Sequence, residues 1–205
     1  LRALDEFQIE GVPTTIPFSI DWQPDGQLLV VAGPEQRLLR RERDGSLVDH
    51  ADLTGLPGGL NEIVVDGRGT IYVNGGADFY PDEGIASGFI AAITPDGVVR
   101  QVADGIAFPN GMAVTEDNST LIIAESFASK LTAFDITDDG GLDNRRTFAP
   151  VLAADPFLAL DLMASPLVSQ HLLTAAADRE VVGTAEVGGR LGVVAGARVE
   201  RRGRQ

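Results

Sequence analysis

At 205 residues, with 44% hydrophobic and 22% charged side chains, the chain is long enough to bury a sizeable core and too apolar to be a disordered polymer. Thirty acidic residues against 16 basic give a net charge of -14, which argues against nucleic-acid phosphate or an anionic membrane as the main partner. Cations fit that charge better, as does acid spread over exposed turns for solubility. The absence of cysteine removes disulfides, thiolate metal sites and a cysteine nucleophile, while 24 glycines and 11 prolines call for many turns and an all-β chain.

The chain begins with Leu1 rather than Met and enters a repeating pattern almost at once, which is expected of a partial protein. No basic start with an apolar core marks a signal peptide, and no run of about 18 apolar residues marks a membrane span, so a soluble form, cytoplasmic or in another compartment, is expected. Acidic or glycine turns precede short apolar strands three times: Pro24-Asp25-Gly26 before 28–32, Asp66 to Gly69 before 70–74, and Glu116-Asp117-Asn118 before 120–125. Each strand is followed by an outer hairpin: 38–41 leads to Asp44-Gly45, 89–93 to Asp96-Gly97, and 131–136 to Asp139-Gly140. Four short strands every 40 to 50 residues or so predict β-propeller blades, because one such sheet cannot bury both faces alone and must stack on neighbours. A β-sandwich also offers short strands and frequent turns, but it gives no reason for the same order to recur at that spacing. At about 45 residues per blade the chain supplies about four.

Within this register Asn61, in Gly59-Leu60-Asn61-Glu62, and Asn110, in Phe108-Pro109-Asn110-Gly111, each stand just before an inner strand, 49 residues or one blade apart. Asparagine carbonyls are neutral hard ligands, and with carboxylates and water they suit Ca²⁺, with Zn²⁺ or Mg²⁺ as alternatives. The same residues also serve as ordinary turn formers. The loop 75–87 carries Asp78, Asp82 and Glu83, and is placed to reach over a channel mouth, with Asp78 a candidate for substrate binding. His50, in an outer hairpin, and His171 read as surface residues, and there is no Gly-x-Ser-x-Gly elbow for a serine nucleophile.

From about Asp155 the pattern decays. Residues 167–205 carry six arginines against four acids, so the preceding 166 residues hold a net charge of -16. Two units follow: blades of an incomplete ring over 1–154, then a diverged closing blade or irregular basic tail over 155–205. A reading-frame change is a third explanation of the same segment. Arginines without interleaved aromatics give a nucleic-acid arm little support.

The stretches Leu60-Asn61-Glu62-Ile63-Val64-Val65-Asp66-Gly67-Arg68-Gly69 and Phe108-Pro109-Asn110-Gly111-Met112-Ala113-Val114-Thr115, with 121–126 and 131–136 after them, resemble the gluconolactonase, regucalcin and luciferin-regenerating enzyme family over roughly residues 15 to 150. The resemblance implies a six-bladed propeller, a divalent metal in the central channel, most often Ca²⁺, and hydrolysis of sugar lactones or related esters. It places Asn110 on the family's metal asparagine, and Asn61 on a second asparagine that binds metal in some members and substrate in others. It also exposes departures. Glu10-Gly11 is followed by Val12-Pro13 rather than forming a Glu-Gly-Pro motif, and it lies too close to the second blade to be the first ligand. Asp155 and Asp161 stand near, but not at, the place of the last ligand aspartate, and are the candidates for a catalytic carboxylate; no arginine lies near Gly59. Three functions therefore remain open: a metal-dependent lactonase-type hydrolase of a small-molecule lactone or ester, a non-catalytic propeller that binds a ligand or partner, and an incomplete product inactive alone.

Overall fold

The computed structural model describes residues 18–76, 87–152, 182–187 and 190–195, with side chains over 19–76 and 87–150. Three four-stranded antiparallel meanders follow one another: β1 (Phe18–Trp22), β2 (Leu28–Ala32), β3 (Arg37–Arg41) and β4 (Leu47–Asp52); β5 (Leu60–Val65), β6 (Ile71–Gly75), β7 (Ser87–Ile93) and β8 (Val99–Ala107); and β9 (Pro109–Val114), β10 (Thr120–Glu125), β11 (Lys130–Ile136) and β12 (Leu142–Leu152). A hairpin of β13 (Val182–Val187) and β14 (Arg190–Ala195) adds to the outer edge of the third sheet, pairing Val151 with Val194 and Leu152 with Val193. This hairpin is what the structure describes of the 155–205 segment.

The sequence produces these sheets through two local signals. The first is turn chemistry. Asp66 Oδ1 accepts the Arg68 and Thr70 N–H groups at 2.9 and 2.8 Å, and Gly69 takes the left-handed φ of 87° that closes the turn. The second is an apolar run on both faces of the middle strands. In β6 the side chains alternate, so Ile71 and Val73 join Leu29, Val31, Leu38 and Phe89 in a core between the first and second sheets. Tyr72 points the other way and packs with Ile90, Met112, Leu121, Ile123 and Phe134 between the second and third. A strand buried on both faces reads as a continuous apolar segment, which is why no polar alternation marks it.

Consecutive first strands touch across sheets, β1 on β5 and β5 on β9, far more extensively than the fourth strands β4 and β8 do. Sheets that meet at their first strands and splay at their last radiate from an axis. That is the blade arrangement of a propeller rather than the face-to-face layers of a sandwich. Among the described residues no helix is long and apolar enough to cross a membrane.

Candidate functional site

The inner strands β5 and β9 begin at the same end of their blades, and Asn61 and Asn110 are the second residue of each. Both therefore lie inside the strands rather than just before them, because β5 starts at Leu60, paired with Gly75, and β9 starts at Pro109, paired with Glu125. Proline is tolerated there since a strand's first residue can forgo a ladder donor. Asn61 Nδ2 donates to the Pro109 carbonyl at 3.2 Å, crossing from the second blade to the third. Asn110, 8% exposed, donates from Nδ2 to Ser126 Oγ at 3.4 Å. Each amide nitrogen is thus committed to a protein acceptor, and among the described residues neither Oδ1 receives a hydrogen bond. Two oriented carbonyl oxygens, about a third of the six to eight oxygens that Ca²⁺ takes, suit a hard divalent cation.

A third asparagine, to which the sequence alone assigned nothing, ties the two strands together. Asn74 on β6 is fully buried; its Nδ2 donates to the Asn110 carbonyl at 2.8 Å and its Oδ1 accepts the Glu62 N–H at 3.3 Å. The signal for it was an amide closing the apolar run Ile71-Tyr72-Val73, since a buried strand position holds an amide only if all its bonds are met. Immediately before Asn110 the chain is strained. Phe108 has φ of 57°, rare for a bulky side chain and more so before proline, and its carbonyl accepts the Ser126 N–H at 3.1 Å. Its ring stacks on Phe127 of the 3₁₀ turn Ser126–Ala128, with centroids 4.4 Å apart.

Two carboxylates flank this end. Glu62, beside Asn61, is half-buried and accepts the Ser19 hydroxyl at 2.8 Å; burial pushes its proton affinity up, and the Ser19 bond offsets part of that rise. Glu125, 1% exposed, behaves oppositely. Burial alone would raise it, but hydrogen bonds from Thr132, Ala107 and Arg145 and the Arg145 charge together hold it below the usual glutamate range. His50 lies on β4, far along the first blade, and is half-buried rather than on the surface; burial, then the Arg40 charge, lowers its proton affinity. Among the described residues no three histidine or acidic side chains gather closely enough to hold a metal ion by themselves. Glu10, Asp78, Asp82, Glu83, Asp155, Asp161 and His171 lie outside the described residues.

Residues 10–165 match the family model for the SMP-30/Gluconolactonase/LRE-like region. The chain belongs to this family. Diisopropyl-fluorophosphatase of Loligo vulgaris is 28% identical over 149 residues, covering 66% of this chain and 48% of the relative. A gluconolactonase from Xanthomonas campestris superposes with a TM-score of 0.51 at 23% identity, over 63% of this chain and 47% of that one. Regucalcin of Agrobacterium tumefaciens, a calcium-binding protein, gives a TM-score of 0.49 at 19% identity, over 63% of this chain and 43% of that one. At these identities the structural likeness shows the fold, and the chain spans about half the length of the curated relative it matches.

Proposed function

We propose that this chain carries part of the divalent-metal site of a metal-dependent hydrolase that opens a sugar lactone or a related ester. The observation that carries the reading is the paired arrangement of Asn61 and Asn110. Their amide nitrogens are tied to Pro109 and Ser126, which leaves both side-chain carbonyl oxygens for a cation, most fittingly Ca²⁺. Family membership and the likeness to a diisopropyl-fluorophosphatase support the reaction class. When bound, the cation supplies polarisation of the substrate carbonyl and stabilisation of the developing oxyanion.

The chain's own residues would do the rest. Glu62 Oε2, which accepts from Ser19 Oγ beside Asn61, is the oxygen placed to take a proton from an attacking water, and burial raises its proton affinity. Ser19 keeps that carboxylate oriented. Asn74 holds β5 and β9 at one spacing, so the Asn61 and Asn110 oxygens keep their relation without a ladder hydrogen bond between the strands. Asp78, Asp155 and Asp161 remain candidates for substrate binding and for the missing acidic ligands.

Titration of CaCl₂ into the purified chain, followed by calorimetry, tests the site. Saturable heat is expected, with Asn110→Ala weakening the affinity by about tenfold or more. No heat at millimolar Ca²⁺, or an Asn110→Ala variant that binds as tightly as the parent, would sink the reading. A second reading, a propeller that binds ligand without turning it over, is favoured by the departures of the sequence from the family's acidic ligands around Glu10 and Asp155. Lactone binding without lactone consumption in the presence of Ca²⁺ would select it.

A further inference from the structure

We infer that Glu125 is the positioning residue for Asn110: with Arg145 it fixes the backbone of residues 104–108 and so sets where the Asn110 side-chain oxygen is presented. This inference rests on the reading of Asn110 as a cation ligand. The need for such a residue comes from the chain itself. Between the end of β8 at Ala107 and the start of β9 at Pro109 only Phe108 intervenes, and its φ of 57° is a strained conformation for a bulky residue that persists only where the surroundings enforce it. Pro109 has no N–H with which to anchor the turn, and the β9–β10 register is irregular between Ile123 and Glu125. Ladder pairing ends at Ala107, opposite Ser87, and resumes at Pro109, opposite Glu125, so it does not itself fix Phe108 between them.

Side chains from the third blade hold it instead. Glu125 Oε2 accepts the Ala107 N–H at 3.0 Å, one residue before the strained Phe108. Oε1 faces the opposite way and accepts Thr132 Oγ1 at 2.5 Å and Arg145 Nη2 at 3.0 Å, with Lys130 Nζ at 3.3 Å. Arg145 in turn donates Nη1 to the Asp104 carbonyl at 3.0 Å and Nη2 to the Gly105 carbonyl at 2.8 Å. The next residue, Ser126, completes the clamp, its N–H on the Phe108 carbonyl and its hydroxyl on Asn110 Nδ2. One buried carboxylate thus joins three strands of the third blade to the backbone that delivers Asn110, and each of its oxygens has a partner. A buried charge is tolerated only with such full pairing, and its use here is to hold a conformation. The lowered proton affinity of Glu125 agrees with a carboxylate that stays ionised in this role.

The test compares the parent chain with Glu125→Ala, Glu125→Gln and Arg145→Met by Ca²⁺ calorimetry, alongside thermal melts and ¹⁵N spectra of the Asn110 side-chain amide. Glu125→Ala is expected to weaken Ca²⁺ binding about tenfold, Arg145→Met by less, and Glu125→Gln to recover most of the affinity, because the glutamine oxygen still accepts from Ala107 N–H. Wild-type affinity in Glu125→Ala overturns the inference. So does Glu125→Gln binding as weakly as Glu125→Ala, which would make the effect one of charge. If Glu125→Ala does not fold, Arg145→Met decides, and unchanged affinity there overturns the inference. A parent chain that binds no Ca²⁺ is a failure of the cation reading alone. The Asn110 amide resonance then decides: it must shift in Glu125→Ala and return in Glu125→Gln, and a resonance that stays put overturns the positioning role.

Discussion

At the end of the blades where the second strands begin, Asp25, Asp66 and Asp117 each accept the N–H of the residue two positions on, at 3.0, 2.9 and 3.0 Å. At the opposite end, where β5 and β9 begin, the bonds that matter join residues 48, 36, 18 and 16 positions apart: Asn61 to Pro109, Asn74 to Asn110, Ala107 to Glu125, and Asn110 to Ser126. The turns at the first end are closed by local contacts that a short peptide can sample, to which Asp21 and Asn118 add bonds across blade boundaries. The site end exists only once two blades have docked. Ligand-binding geometry at the second end is therefore coupled to blade packing, whereas the first end serves the fold alone. Substitutions at the two ends should separate these roles.

The largest effect is expected from Gly88→Ala. A Cβ at Gly88 would lie 2.3 Å from Pro109 Cδ and 2.9 Å from the Gly75 carbonyl oxygen, so β7 and β9 must move apart. A loss of about 3 kcal/mol in urea unfolding is expected, with Ca²⁺ affinity falling in parallel because Pro109 precedes Asn110. A variant as stable as the parent would show that the two blades are not tightly docked here. Next comes Asn74→Ala, which leaves the Asn110 carbonyl and the Glu62 N–H buried without their partner. About 2 kcal/mol is expected, again with weakened Ca²⁺ binding. Wild-type affinity in a destabilised Asn74→Ala would mean that the spacing of β5 and β9 is set elsewhere.

The same contrast explains what could be read from the sequence. The repeating acidic turns and the apolar strands between them are local features, and they locate β2, β3, β6, β7, β10 and β11 within a residue or a few. Asn61 and Asn110 were legible because the repeat gave them equivalent register positions, although as turn residues before the strands rather than as members of them. Asn74, Glu125 and Ser126 were not legible, since a buried strand end gives no hint of a partner across a blade boundary. Phe108 misleads in a different way. An aromatic residue before proline is ordinarily extended, whereas Phe108 takes a left-handed φ beside the Glu125 and Ser126 bonds to its neighbours and its own carbonyl.

A smaller effect, with a definite sign, is expected from Glu62→Gln. Because burial raises the Glu62 proton affinity in the folded chain, the unfolded chain ionises first as pH rises, and stability falls between the ordinary glutamate value and the raised one. The amide removes that fall and keeps an acceptor for the Ser19 hydroxyl. Melts from about pH 4 to about pH 8 should show the variant matching the parent at the acid end and exceeding it near neutrality. Parallel curves would mean that Glu62 is solvated. Lactone turnover, if the parent shows it, should be lost in the same variant.

The smallest effect is expected from Asp117→Ala. Asp117 is exposed and accepts from Thr115 Oγ1, Ser119 N and Ser119 Oγ at 2.7, 3.0 and 2.7 Å, all within two residues of itself. Water can replace each of these bonds, so the cost should stay below about 1 kcal/mol. Ca²⁺ affinity should not change. Its neighbour Asn118 accepts the Gly67 N–H at 2.6 Å on its side chain and Arg68 Nη2 at 2.7 Å on its carbonyl, both across the blade boundary, and so links this turn to the second blade. If Asp117→Ala does weaken Ca²⁺ binding, while Asn118→Ala weakens it further, the two ends are coupled along β9 and the division between a folding end and a binding end fails.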